Sequence, residues 1–447
     1  MNEHVENIII GGGLAGGITS LILARQGFSG VLLEKGGQPY GANGSIRDEN
    51  GHHFDIGGHW IYEGRSAFTS RFFRQVQDDE VRSFPIDRSI VLREHRIPYA
   101  APLDEWPQSL RAMMDPNPEA DRVTLGSTRE AFAEAYGSEF ADFLFDEVLA
   151  SFPSLTWLRD QGEPEEKLMR WVFPWFVPLT DRERAPSSDG DRGFYIHESR
   201  SYHFEERYSD GPEYVLYPDG DGFGNWIEAI FRKGREAVDV QLNTDRIELN
   251  LDGGEPQVRA VRTEDGTYEP ERVFWCAPVS VLCDQLGWSL PEKKRQIGVL
   301  GNFTFEEEVR ATEHEIMFGD PDHDIRRVTQ PARLAGQEPA RTLQVELFFP
   351  DGTFDRSEEA WKESWLESLK ELGIVEPDHT VTNFQFLSAP MGAVVDEAFQ
   401  KALGTIREKV LNLSTNLHVP DVKQGPGNSS RSVPRIFHRV YRQLVRL

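Results

Sequence analysis

Cysteine is nearly missing. The 447 residues hold two, Cys276 and Cys283, too few for a structural zinc site, and no metal centre is expected. Two free thiols are expected in preference to a disulfide. Long apolar runs are missing as well: nothing approaches the roughly 18 residues a membrane-spanning helix requires, so no transmembrane segment is expected. Positive charge is scarce, with 48 Lys and Arg against 74 Asp and Glu and a formal net charge of −26. A surface of that sign repels phosphate backbones and excludes nucleic acid as a general partner. Met1-Asn2-Glu3-His4 carries no signal-peptide pattern, and a cytoplasmic location is expected. No fixed-period repeat and no low-complexity tract interrupts the chain.

What is present is concentrated in the first thirty-five residues. The apolar run Asn7-Ile8-Ile9-Ile10 opens into Gly11-Gly12-Gly13-Leu14-Ala15-Gly16, which has the spacing G-x-G-x-x-G. A helical pattern follows through Ala24, Gly27 stands at its C-cap, and Val31-Leu32-Leu33 forms a second strand ending in Glu34. Gly11 permits the tight turn, Gly13 lets the backbone approach a pyrophosphate, and Gly16 lets helix and strand pack closely. The helix N-terminus, at Leu14 and Ala15, offers N–H groups to phosphates. Glu34 is placed to accept hydrogen bonds from a ribose diol and would repel a 2′-phosphate, so NADP is disfavoured. The strand before, the helix after and the acid at the end give the motif its confirming context. A dinucleotide site is expected.

Further on, Ser45–Arg47 and His53–Asp55 read as a hairpin around Asn50-Gly51. Phe54-Asp55-Ile56-Gly57-Gly58-His59-Trp60-Ile61 sets two glycines inside an apolar strand pattern, which close approach to a flat ligand would explain. Residues 89–99 form a second hairpin, and 104–170 read as helical. Trp171, Phe173, Trp175 and Phe176 make an aromatic wall, either pocket or core. Residues 181–213, with Arg192, Arg200 and Arg207, read as a long polar loop. A glycine turn at Tyr217–Gly224 precedes a helix expected over Asn225–Ala237, and strands return at 238–242, 246–251, 258–262 and 272–278. Residues 300–390 alternate apolar and polar as in an antiparallel sheet, with one helix at 358–372. A helix at 395–411, a strand at Leu417–Val419 and a basic amphipathic helix after Gly425–Ser430 close the chain.

Gly11-x-Gly13-x-x-Gly16 with Glu34, followed by Asp55-Ile56-Gly57-Gly58-His59-Trp60, resembles the flavin-dependent amine oxidase superfamily. That group includes protoporphyrinogen oxidase, phytoene desaturase-like enzymes and, more distantly, UDP-galactopyranose mutase. The resemblance implies an α/β fold with a discontinuous Rossmann-like FAD/NAD(P)-binding domain and an inserted α+β substrate domain. The FAD-binding parts are expected at 1–64, 214–299 and 395–447, and the substrate-domain parts at 65–213 and 300–394. It implies non-covalent FAD held by Gly11, Gly13, Leu14, Ala15, Gly16, Glu34, Lys35, Gly41, Gly57, Gly58 and His59. Backbone contact to adenine is expected at Arg246 or Ile247, and Asp421, Gly427, Asn428 and Ser429 stand where the family's C-terminal glycine segment covers the cofactor. Two departures are visible. Tyr40-Gly41-Ala42-Asn43 replaces the usual glycine pair after the acid, and Val419-Pro420-Asp421 replaces the usual glycine-led motif.

The activity implied is hydride abstraction by flavin from a C–N or C–C bond of a small organic molecule. His59 and Trp60 are the candidate catalytic side chains. His59 has two readings, a base or a histidine hydrogen-bonded to flavin or backbone. Trp60 is either packing or a substrate platform. Two alternatives stay open: a redox-neutral sugar-nucleotide mutase, and a flavin-binding protein without catalysis. The final helix, with Arg435, Arg439, Arg442 and Arg446 at helical spacing, either docks on the nucleotide domain or makes a peripheral membrane contact.

Overall fold

Ile8, Ile9 and Ile10 are buried on both faces of a sheet, Ile9 in one hydrophobic core and its neighbours in another. A strand of this kind belongs in the middle of a parallel sheet covered on both sides. The computed structural model describes residues 2–177 and 214–419 apart from short stretches, the longest at 121–126, 252–256, 351–355, 395–400 and 410–415. The strand Asn2–Ile10 pairs in parallel with Gly30–Leu33 on one side and Thr267–Trp275 on the other. Val238–Gln241 extends the sheet beyond Gly30–Leu33, also in parallel. Val258–Arg262 and Glu248–Leu251 add an antiparallel edge, and Leu417–His418 joins Thr267–Trp275 in parallel. The result is a seven-stranded Rossmann-like sheet. Its strands come from three separated stretches of the chain.

The helix Leu14–Gln26 ends on Gly27, whose φ of 80° is left-handed, with Phe28 N donating to Leu23 O as a glycine C-cap requires. Beside it lies the helix Phe223–Gly234, which starts two residues ahead of the expected Asn225 and stops before the expected Ala237. The early start has a physical cause: Asp55 Oδ1 accepts from Phe223 N at 2.9 Å and Ser45 Oγ from Gly224 N at 2.7 Å, capping the first turn from outside.

The second sheet also has seven strands, in the order Val381–Val394, Lys294–Phe305, Thr342–Pro350, Arg327–Thr329, Glu315–Phe318, Arg88–Leu92 and His95–Pro98. It is antiparallel except where Glu315–Phe318 meets Arg88–Leu92. Val299, Phe303, Leu343 and Val345 face the helix Glu358–Glu371 and its buried Trp361 and Trp365. The alternate residues face the other way, as the period of two demands. That second face is polar and yet buried: Asn302, Thr304, Glu315, Thr329, Gln344 and Glu346 are all at most 2 % exposed. It lies against the hairpin Ser45–Asp55. Gln344 Nε2 donates to Asp55 O at 2.6 Å and Thr304 Oγ1 to Asp48 Oδ2 at 2.8 Å.

Most of the described residues within 104–169 are helical as expected, and Phe132, Phe140, Phe143, Leu144, Phe145, Val148 and Leu149 are core. Phe176 is core as well. Cys276 and Cys283 are free thiols. A hydrophobic cluster and a strand run across two of the expected boundaries. The core that holds Leu14 and Ile18 continues through Phe72, Phe73, Val76 and Phe84 to Tyr217 and Trp226, so a break after residue 64 would cut one hydrophobic cluster. Likewise the strand Lys294–Phe305 belongs to the second sheet from its first residue, ahead of the expected 300. No helix among the described residues is long and apolar enough to cross a membrane. Tyr40, Trp171, Phe173, Trp175, Arg192, Arg200, Arg207, Asp421, Gly427, Asn428 and Ser429, and the segment where the final basic helix is expected, lie outside the described residues.

Candidate functional site

The site begins where the first strand ends. Gly11 has φ +102°, and a Cβ there would stand 2.7 Å from Ala277 N. A Cβ on Gly16 would stand 1.9 Å from Gly11 O, so only glycine lets the helix start this close to the turn. Gly13 is different. A Cβ there would meet nothing within 4 Å. The space on its Cβ side is open, and on another side the short turn Gly41–Asn43 packs against it: a Cβ on Gly41 would stand 3.4 Å from Gly13 Cα. The first-turn N–H groups, at Leu14, Ala15 and Gly16, have no intrahelical acceptor by helix geometry and carry the positive end of the dipole.

At one end of this cradle stands Glu34. Its Oε1 accepts from Gly36 N at 2.7 Å and its Oε2 accepts from Gly12 N at 2.5 Å, so two backbone donors fix the carboxylate and leave its remaining lone pairs for a ligand's hydroxyls. Lys35 is exposed. Asn243 N and Thr244 N donate to Gly36 O and Glu34 O, at 3.1 and 2.9 Å. Arg246 and Ile247 come next, in the loop before Glu248–Leu251 and not in the strand itself. Ile247 O accepts from Gln285 Nε2. In this stretch it is Gln241 and Thr244 whose backbone bonds to that of Glu34.

At the other end, Ile56 N donates to Gly44 O at 3.0 Å, which sets Gly57-Gly58-His59 beside the Gly41 turn. The expected continuous strand from Phe54 to Ile61 is broken here: the strand His53–Asp55 stops, Gly57 turns with φ +84°, and pairing resumes at Ile61–Tyr62. A Cβ on Gly58 would lie 3.0 Å from Thr329 Cγ2 and 3.3 Å from Arg327 Cζ, so this segment is pressed onto the second sheet. His59 Nδ1 sits 2.6 Å from Gly57 O, and its ring stacks on Phe223. A carbonyl only accepts, so Nδ1 carries the hydrogen and Nε2 keeps its lone pair. Burial, with the Arg327 charge adding to it, lowers the His59 pKa to about 4. The imidazole is neutral at pH 7 and a weak base. Trp60 is half-buried, edge-on to Tyr62 and packed on the core.

Beneath the hairpin, Asp55 accepts from Ser45 Oγ at 2.6 Å, Tyr217 OH at 2.7 Å and Phe223 N. Above it lies a group that sequence reasoning missed. Arg327 donates through Nη2 and Nε to Glu346 Oε2, at 2.6 and 3.1 Å, and through Nη1 to Glu315 Oε1 at 3.3 Å. Burial raises the Glu315 pKa, while Arg327 opposes it. Arg326 points elsewhere, over the Phe152 ring at 3.9 Å with Nη1 on Phe318 O.

Residues 9–76 match the family model of an NAD(P)-binding Rossmann-like domain. Three solved structures resemble the whole chain. A reduced UDP-galactopyranose mutase does so with a TM-score of 0.70 at 14% identity, covering 99% of this chain and 96% of its own. A putative protoporphyrinogen oxidase from Exiguobacterium sp. 255-15 gives 0.66 at 13%, covering 100% and 99%. A putrescine oxidase bound to putrescine gives 0.60 at 12%, again covering 100% and 99%. The chain shares the overall fold of these three structures. No curated protein matches the sequence. The structure gathers Gly11, Gly13, Gly16, Glu34 and Gly41 at the end of the first strand and continues to Gly57, Gly58 and His59. Arg327, Glu346 and Glu315 were hidden because their strands read only as alternating, and alternation does not say what covers the polar face.

Proposed function

We propose that the chain is an FAD-dependent oxidoreductase that takes hydride from a C–N or C–C bond of a small organic substrate. The observation that carries the reading is the border of glycine backbone from Gly13 through Gly41 to Gly57-Gly58, with open space at Gly13 and a carboxylate fixed at its ribose end. Bound there, the flavin would supply the two-electron acceptor. The protein's residues do the rest. Glu34 accepts from ribose hydroxyls, and the Leu14–Gly16 N–H groups take the pyrophosphate. Gly57 and Gly58 let a flat ring come close. His59, neutral and anchored through Nδ1, offers Nε2 as an acceptor and orients what lies beside it. The buried polar face of the second sheet closes the far side.

The mutase alternative needs arginines free to hold a sugar-nucleotide diphosphate. Among the described residues beside Gly58, Arg327 is bonded to two carboxylates and Arg326 is stacked on an aromatic ring. That favours the oxidoreductase. The test is spectroscopic: purified protein is expected to be yellow, or to turn yellow with FAD. Under anaerobic conditions a substrate found by screening amines, unsaturated lipids and sugar nucleotides should bleach it, and an acceptor should restore the colour. A protein that needs prior reduction before it acts on a sugar nucleotide would establish the mutase. One that stays colourless with FAD but binds NAD would end the flavin reading.

A further inference from the structure

Arg327 stands directly opposite Glu346 on neighbouring antiparallel strands, and Glu315 lies diagonally across on the third. The three side chains therefore share one face of the sheet, the face that covers Gly58. The two carboxylates are 1 % and 3 % exposed, and the guanidinium carbon is in van der Waals reach of the Gly58 position. Glu315 Oε2 has no hydrogen-bond partner. Such a triad is a poor means of stabilising a fold, because desolvating three charges offsets most of their attraction. Apolar side chains would fill this space at least as well. Its position is what distinguishes it: the Gly12 end of the glycine border meets the carboxylate of Glu34, whereas the segment assigned to the flat ring meets a buried guanidinium.

We infer that Arg327, held between Glu346 and Glu315 against Gly58, tunes how strongly bound flavin attracts electrons. The inference rests on the FAD reading above. Hydride transfer delivers two electrons and one proton and leaves the reduced ring with one more negative charge than the oxidised one. A buried guanidinium favours that charge, and the carboxylate of Glu346, sharing two of its donors, opposes it. Inside a low-dielectric site neither effect is screened as it would be in water. Removing the two charges singly must therefore move the equilibrium in opposite directions. A purely structural role would not do that.

The experiment compares FAD-loaded wild type with Glu346→Gln, Arg327→Met and Arg327→Lys. FAD uptake is measured first, then the reduction potential against a reference dye, with sulfite affinity as a second probe of the oxidised ring. Glu346→Gln is expected to shift the equilibrium about tenfold toward reduced flavin, close to 30 mV for a two-electron couple. It should also tighten sulfite binding about tenfold. Arg327→Met is expected to shift both about tenfold the other way, and Arg327→Lys, which keeps the charge, to stay nearer wild type. If the FAD-loaded variants share the wild-type potential, or if Glu346→Gln and Arg327→Met move it in the same direction, the inference is overturned and the FAD reading stands. If wild type itself takes up no FAD, both fall together.

Discussion

Asp55 is buried under the hairpin and holds three elements at once: Ser45 of its own hairpin, Tyr217 at the end of the strand Tyr214–Pro218, and the first turn of the helix Phe223–Gly234. Burial raises its pKa from 3.8 to about 6, against the opposing hydrogen bonds from Ser45, Tyr217 and Phe223. A carboxyl whose folded pKa lies above its unfolded one gives stability that is complete below the unfolded value, near 3.8, and is lost as pH rises through about 6. The gap of about two units corresponds to about 3 kcal/mol, at 1.36 kcal/mol per unit. The Asp55→Asn variant has no titrating group and still offers an acceptor to Phe223 N. Its stability relative to wild type should therefore climb by about 2 kcal/mol between pH 4 and pH 7. Asp55→Ala leaves two hydroxyls and one N–H buried without their acceptor, at roughly 1–3 kcal/mol each, and should lose at least about 3 kcal/mol at every pH. Urea unfolding of the FAD-free protein, followed by tryptophan fluorescence across that range, measures both. Parallel stability curves for wild type and Asp55→Asn would refute the reasoning, because they would mean that the carboxyl titrates alike in both states.

Gly13→Val should abolish FAD binding and leave the melting temperature of the FAD-free protein within a degree or two, since its side chain enters open space, whereas Gly16→Val, which drives a Cβ into Gly11 O, should not fold. Titration with FAD and a thermal melt separate the two. Glu34→Ala should weaken FAD binding by roughly 1–3 kcal/mol, read as a shift in dissociation constant; an unchanged constant would put the ribose elsewhere. His53, His59 and His314 are each lowered from 6.5 to about 4, first of all by burial. Their depressed folded values mean that stability present above pH 6.5 is lost as pH falls toward 4, so wild type should unfold more easily at pH 4.5 than at pH 7 in spite of Asp55. His53→Gln should flatten that loss.

Much of the architecture was legible because it is local. The glycine spacing at 11–16, the Asn-Gly hairpin, the Gly27 cap and the short strand at Leu417 each announce themselves within a few residues. The alternation in Thr342–Pro350 was readable as a strand too. Its burial was not: Gln344 and Glu346 look like a solvent face until the hairpin Ser45–Asp55 is laid over them. The helix start at Phe223 was misjudged for the same reason, since its cap is Asp55, far away in sequence. The core that joins Phe72 and Phe73 to Leu14 and Trp226 was not legible either, because its members lie far apart in the sequence. The glycine border could be read from the sequence. The charges that face it across the second sheet could not, because only the tertiary fold brings Arg327 to Gly58.

The central strand of the Rossmann-like sheet has its partner far downstream: Ile8 pairs with Val273, 265 residues later. Loop closure over that distance comes late in synthesis, for at about 5–20 residues per second the ribosome needs roughly 13–53 s to make the intervening chain. Until then one edge of Asn2–Ile10 has its backbone groups unpaired, with three consecutive isoleucines beside them. Leu417–His418 is added later still, to a strand already flanked by Asn2–Ile10. The nascent polypeptide therefore carries a sticky edge through most of its translation. Its yield in a cell should depend on chaperone supply and translation speed more than on the stability of the finished fold, and slowing growth temperature during expression should raise the soluble fraction.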